Sequence, residues 1–62
     1  MDNKLKIMEA YNKDVTVEVT VNKKDGWFLV SGYVRQLQPD YCVINTDEGP
    51  KGVMFDEITS VR

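Results

Sequence analysis

The chain has 62 residues, 42% hydrophobic and 29% charged, a mix that suits a folded domain and lies far from the low-hydrophobicity, high-charge composition of disorder. A domain this small buries only about 60% of the surface its unfolded chain exposes, so its stability is expected to be marginal, and association with a second copy would add burial. Eight basic residues against ten acidic ones leave a net charge of -2, which disfavours nonspecific nucleic-acid binding, where a basic excess exchanges with phosphate counterions.

The pattern predicts a single domain over 1–62, with a helix in 1–12 and a β barrel in 15–62. Within Asp2 to Asn12, Leu5 and Met8 lie three apart and Ile7 and Tyr11 four apart, so a helix gathers them along one side. Asp2 or Asn3 is placed to cap its start, and Asn12-Lys13-Asp14 supplies the stop. So short a helix does not stand alone, and its apolar side is expected to dock on the open end of the barrel. Val15, Val17, Val19 and Val21 then alternate with Thr16, Glu18, Thr20 and Asn22, the mark of a strand with one wet face. Lys23-Lys24-Asp25-Gly26 reads as a hairpin turn in which Gly26 supplies a positive φ.

The next strand, Trp27 to about Gln38, is too long to stay flat in so small a protein, and Gly32 near its middle permits a sharp bend. Val30 and Val34 share one face, and Leu37 is out of step by one residue, which a bulge or the start of the Pro39-Asp40 turn repairs. Tyr41 to Thr46 is a third strand, Asp47 to Gly52 a turn dense in structure-breaking residues, and Val53 to Phe55 a fourth strand. Phe55, Ile58 and Val61, three apart, predict one 3₁₀ turn through Asp56-Glu57 into a last short strand. The expected fold is mainly β: a short N-terminal helix followed by a five-stranded, strongly bent barrel.

The valine strand, the Asp25-Gly26 turn, Val30-Ser31-Gly32-Tyr33-Val34 and Phe55-Asp56-Glu57-Ile58 resemble the Sm-like and SH3-like small barrels over almost the whole chain. More narrowly, the chain looks like the C-terminal half of the YolD-like proteins of Gram-positive bacteria and their phages. There too a helix ending in a small residue leads into an alternating strand, an Asp-Gly turn, a V-x-G-x-V-like bend and a closing F-D-x-I. The resemblance implies a noncatalytic Sm-like barrel, sometimes encoded beside translesion DNA polymerases. Sm proteins that bind RNA place an Asp, an apolar residue and an Asn after the second strand, and an Arg-Gly or similar pair in the fourth-strand loop. The corresponding stretches here are Pro39-Asp40-Tyr41-Cys42-Val43-Ile44 and Lys51-Gly52, so Asn45 comes too late and Lys51 replaces the arginine. RNA binding in the Sm manner is therefore disfavoured.

Without histidine and with one cysteine, the chain cannot assemble the usual zinc sets or a Ser-His or Cys-His nucleophilic pair, so no catalytic residue, metal or cofactor is expected. Asp47-Glu48 and Asp56-Glu57 are adjacent carboxylates in turns, where neighbouring side chains diverge, and read as solvated turn residues. Cys42, beside Val43 and Ile44, reads as a small core hydrophobe with nothing basic adjoining it. It forms no internal disulfide, which favours a reducing compartment. Gly49-Pro50-Lys51-Gly52 lacks the spacing and following helix of a phosphate loop. No apolar run approaches the roughly 20 residues of a membrane span, and a soluble, cytoplasmic protein is expected.

The aromatics are the positive signal. Trp27 and Phe28 point to opposite faces of one strand, so at least one large ring should be exposed, and Tyr33 faces away from Val34. Exposed Trp and Tyr beside arginine have the composition of protein-interface anchors, and Arg35 shares a face with Tyr33 and Trp27. The expected function is a noncatalytic binding module that works by protein contact through Trp27, Tyr33 and Arg35, either on a second copy or on a foreign partner such as a nucleic-acid enzyme that it regulates or inhibits. A sharper form presents Asp40, Asp47, Glu48, Asp56 and Glu57 as a phosphate mimic. The alternative is an oligomeric Sm-like protein that binds RNA or a nucleotide, with Lys23, Lys24, Arg35 and Lys51 around a pore.

Overall fold

The computed structural model describes residues 2–62; Met1, at the head of the segment 1–12 read as helical, lies outside them. Helix α1 (Asn3–Lys13) is followed by strands β1 (Thr16–Lys23), β2 (Gly26–Leu37), β3 (Tyr41–Thr46) and β4 (Gly49–Met54), a 3₁₀ turn over Phe55–Glu57 and strand β5 (Ile58–Val61). The architecture is mainly β, one N-terminal helix and then five antiparallel strands in the order β4-β3-β2-β1-β5.

Asp2 opens α1 as its N-cap, its carboxylate accepting a hydrogen bond from the Lys4 N–H at 2.9 Å, which satisfies one of the orphan donors of the first turn. At the other end Asp14 sits in the left-handed region at φ 55°, ψ 47°. Its N–H donates to the Tyr11 carbonyl at 3.3 Å, and the Val15 N–H donates to that of Ala10 at 3.1 Å. This is the paired ending of a Schellman motif, a position usually held by glycine.

Of the residues expected to form the helix's apolar side, only Ile7 is buried, together with Ala10; Leu5, Met8 and Tyr11 remain exposed. The helix lies along one face of the sheet, against β2, β5 and β1, rather than across a barrel end. A cylinder resting on a sheet touches it along a narrow strip, and the Ile7–Ala10 spacing of three residues defines that strip.

The two tight hairpins share one form. Lys23 pairs with Gly26 and Thr46 with Gly49, leaving Lys24-Asp25 and Asp47-Glu48 at the corners, and the glycines take φ of 141° and 109°. In the second hairpin the Thr46 hydroxyl accepts from the Glu48 N–H at 3.1 Å and donates to the Gly49 carbonyl at 2.8 Å. The turn expected over Asp47 to Gly52 is therefore shorter, and β4 begins at Gly49. Pro50 is tolerated inside it because β4 is an edge strand, where a missing N–H breaks no ladder bond.

Gly32 permits the close approach of β3: a Cβ there would overlap the Asn45 carbonyl oxygen and meet the Ile44 side chain at 3.3 Å. The expected repair of the β2 register also appears, as a bulge between Val34 and Gln36 that turns Leu37 toward the core. One hydrophobic cluster results, with Val17, Val19 and Val21 of β1, Val30 and Val34 of β2, Cys42 and Ile44 of β3, Val53 of β4, and Ile58 and Val61 of β5 gathered under Ile7 and Ala10.

The expected strongly bent, closed barrel does not form. β4 and β5 are the two edges of the sheet and do not pair, and the sheet is not strongly curled. The physical reason is that α1 occupies the face that closure would have covered with sheet. The edges are also poorly matched, since β4 carries Pro50 and β5 has only four residues interrupted by a register shift.

Candidate protein-binding face

Because the valines of β1 point toward α1, Thr16, Glu18, Thr20 and Asn22 occupy the opposite side of the sheet. Their partners across the ladder are Tyr33, Ser31, Leu29 and Trp27. The same side continues through Asn45 opposite Tyr33, Val43 opposite Gln36, and Tyr41 opposite Met54. Trp27 is 67% exposed and Leu29 51%, and Tyr33, Tyr41 and Met54 are exposed as well. The sheet thus has one face under a helix and one face that no element covers among the described residues.

Trp27, Tyr33 and Arg35 do share this outer side, but strung along β2 rather than clustered. Six residues at about 3.3 Å per residue separate Trp27 from Tyr33 by roughly 20 Å, with Leu29 and Ser31 between them. At the far end the Arg35 guanidinium lies 4.8 Å from the centre of the Tyr33 ring and 3.0 Å from the Asp14 carboxylate. Both charges are exposed, so the pair contributes at most about 1 kcal/mol. It does hold the guanidinium over the tyrosine ring. A shallow groove of about 500 Å³ runs along the near end, lined by Glu18, Thr20, Asn22, Trp27, Leu29, Thr59 and Arg62.

Phe28 faces the core side, opposite Val21, yet remains 43% exposed. It lines a separate cleft with Val30, Thr46 and Lys51. The strand therefore leaves both rings partly in water.

The lysines do not converge. Lys23 pairs with Glu57 at 3.2 Å and Lys51 with Glu48 at 3.7 Å, while Lys24 stands at the first hairpin corner with no ion pair among the described residues. The acidic residues are divided as well. Asp47 and Glu48 lie at the tip of the β3–β4 hairpin, whereas the Asp40 backbone carbonyl accepts the Phe55 N–H at 2.9 Å, which places Asp40 beside the 3₁₀ turn that holds Asp56 and Glu57. Roughly 20 Å of β3 separates the two groups.

Cys42 is fully buried, and burial raises its thiol pKa above the ordinary value. Among the described residues no three His, Cys, Asp or Glu side chains gather to hold a metal, and no helix is long and apolar enough to cross a membrane.

Leu29, Tyr41, Met54, Glu18 and Arg62 belong to the outer face and were not singled out in the sequence. For Leu29 the signal was present, since it lies two residues from Trp27 and shares its side by alternation. Tyr41, Met54 and Arg62 join the face only through pairing across the sheet, which residue order along one strand does not reveal. Compared with known proteins, the chain matches no family model, no curated protein and no solved structure.

Proposed function

We propose that this chain is a noncatalytic binding module that acts by protein contact through the outer face of its sheet. The observation that carries the reading is the uncovered row of Trp27, Leu29 and Tyr33, with Arg35 stacked on Tyr33. Aromatic and arginine side chains of this kind are the usual anchors of protein interfaces, the rings because they bury large areas with few rotors to immobilise and arginine because its planar head offers several donors. A nucleic-acid enzyme that the module regulates or inhibits is the finer form of the proposal. It is supported by the residue-level likeness to Sm-like and YolD-like proteins, of whose barrel this open sheet would be a variant.

The phosphate-mimic form has less support, because its acidic residues lie at both ends of β3 and two of them, Glu48 and Glu57, are already paired with lysine. The Sm-like RNA or nucleotide alternative is weakened in the same way, since Lys23 and Lys51 are ion-paired and Arg35 is held by Asp14.

The test is crosslinking and affinity capture with the wild-type chain, Trp27→Ala and Leu5→Ala side by side. The reading expects a protein captured by wild type and by Leu5→Ala, which lies on the helix, and lost with Trp27→Ala. Capture indifferent to Trp27 would remove the outer face from the function.

A further inference from the structure

We infer that the half of β2 left uncovered by β3 is a strand-addition slot, and that its occupant is the extended amino-terminal segment of a partner chain. The slot is an edge made of backbone groups, distinct from the outer face proposed above, which works through side chains.

The register shows the slot. β1 pairs with β2 from Gly26 to Tyr33, whereas β3 pairs only from Leu37 back to Tyr33. Glu18 and Arg62 exchange both backbone hydrogen bonds, at 2.9 and 2.8 Å, so β1 turns Glu18 toward β5 and, by alternation, Val17 and Val19 toward β2. Their partners Gly32 and Val30 therefore bond to β1, while Trp27, Leu29 and Ser31 direct their N–H and C=O groups the other way. None of these groups meets β3 or another backbone group among the described residues.

This edge is also unguarded. Edge strands are normally blunted by charge, proline, a bulge or brevity; β4 has Pro50 and Lys51, and β5 has four residues and a register shift. The free half of β2 reads Gly-Trp-Phe-Leu-Val-Ser, without charge or proline, and its bulge lies beyond, between Val34 and Gln36. A stretch of that composition pairs readily with another strand. Beside it, a cleft of about 590 Å³ separates Phe28, Leu29 and Ser31 from the tip of the β3–β4 hairpin.

Shape and charge select the occupant. The lane is open past Gly26 and closed at Ser31 by the hairpin tip. A second copy offering the same stretch does not fit. Pairing Leu29 with Leu29 about a twofold axis sets the copy's Gly26 opposite Gly32, in the lane where β3 ends at Thr46. Sliding the copy outward until its Lys24-Asp25 turn clears Thr46 and Asp47 leaves one hydrogen-bonded pair, at Trp27. A free chain end meets no such obstacle. Asp47 and Glu48 against Lys51 leave the closed end with one net negative charge, and Asp47 enters no ion pair among the described residues. That end favours an ammonium over a carboxylate, which sets an amino terminus at Ser31 and an occupant antiparallel to β2. Its second and fourth residues fall opposite Val30 and Phe28 on the α1 side, where Phe28 is 43% exposed, so apolar side chains belong there.

The experiment adds the peptide Thr-Val-Thr-Val-Thr, with a free amino terminus and an amidated carboxyl terminus, to the full chain and reads amide hydrogen exchange by NMR. In the chain alone the Phe28 and Val30 amides should be protected by β1, and those of Trp27, Leu29 and Ser31 should exchange fast. Saturating peptide should slow those three about tenfold or more, with half-saturation below about 1 mM. N-methylation of the third peptide residue removes its bond to the Leu29 carbonyl and should weaken binding about tenfold. Acetylating the amino terminus, or Asp47→Lys in the chain, should each weaken it about threefold.

No protection at about 1 mM peptide, equal binding of the N-methylated peptide, or indifference to acetylation would each overturn the inference. So would protection of the same three amides that rises with the concentration of the chain alone, which would put a second copy in the slot. Capture that depends on Trp27 with the edge left unprotected sinks the slot alone. A protected edge with capture indifferent to Trp27 sinks the outer-face reading alone.

Discussion

Gly32 is the one glycine of the four with no room for a side chain. The β3 backbone passes so close that a Cβ would overlap the Asn45 carbonyl, and backbone cannot swing aside as a flexible side chain does. Gly32→Ala should therefore destabilise the fold by about 2–5 kcal/mol, measured by urea unfolding. Asp14 presents the opposite case, a non-glycine residue at φ 55° and a negative charge at a helix C-terminus. Both features are unfavourable, and the exposed pair with Arg35 offsets only part of them. Asp14→Gly should stabilise the protein by about 0.5–1 kcal/mol, seen as a rise of several degrees in Tm. Cys42 sets a pH limit. Its folded pKa is raised by burial, so above about pH 8.5 the unfolded chain loses this proton before the folded one does. Stability should fall as pH rises beyond that point, and Cys42→Ala should flatten that slope while lowering stability at neutral pH.

At the scale of elements, α1 is held by a narrow strip of contact. Ile7 is fully buried and Leu5 is 61% exposed, although both are apolar and only two residues apart. Ile7→Ala should cost about 2–4 kcal/mol in thermal or urea unfolding, while Leu5→Ala should change stability by less than about 0.5 kcal/mol. The existence of the helix, a cap at Asp2 or Asn3 and an end near Asp14 were legible in the sequence, because capping and stop signals are local. Which of its apolar residues would be buried was not, because that depends on the shape of the surface beneath. The strand starting at Gly49 was hidden for a related reason: Gly49-Pro50-Lys51-Gly52 has turn-like composition, and only its place at a sheet edge makes it a strand.

For the whole molecule, the consequence concerns how its two sheet faces are covered. One face carries the core under α1, and the other carries exposed Trp27, Leu29, Tyr33, Tyr41 and Met54. If a second copy covers that face, unfolding is coupled to dissociation and Tm must depend on concentration. Calorimetry over a range of protein concentration tests this: a covered face gives the wild-type chain a Tm that rises with concentration and Trp27→Asp a Tm that is constant. A constant Tm in both proteins would mean that the monomer is the whole folding unit.

The sequence by itself determined the helix, the alternating first strand, the glycine-closed first hairpin, the break in register before Leu37 and the 3₁₀ turn, and it required that a large ring be left in water. All of these follow from side-chain period, local backbone preference and the alternation of a strand's two faces. The tertiary structure alone decided that the sheet stays open, that α1 covers one face, that the break before Leu37 is a bulge, and that Arg62, Tyr41 and Met54 join Trp27 and Tyr33 on the other face. These outcomes depend on pairing between residues far apart in the chain, and on one helix taking the space into which the sheet would otherwise have curled.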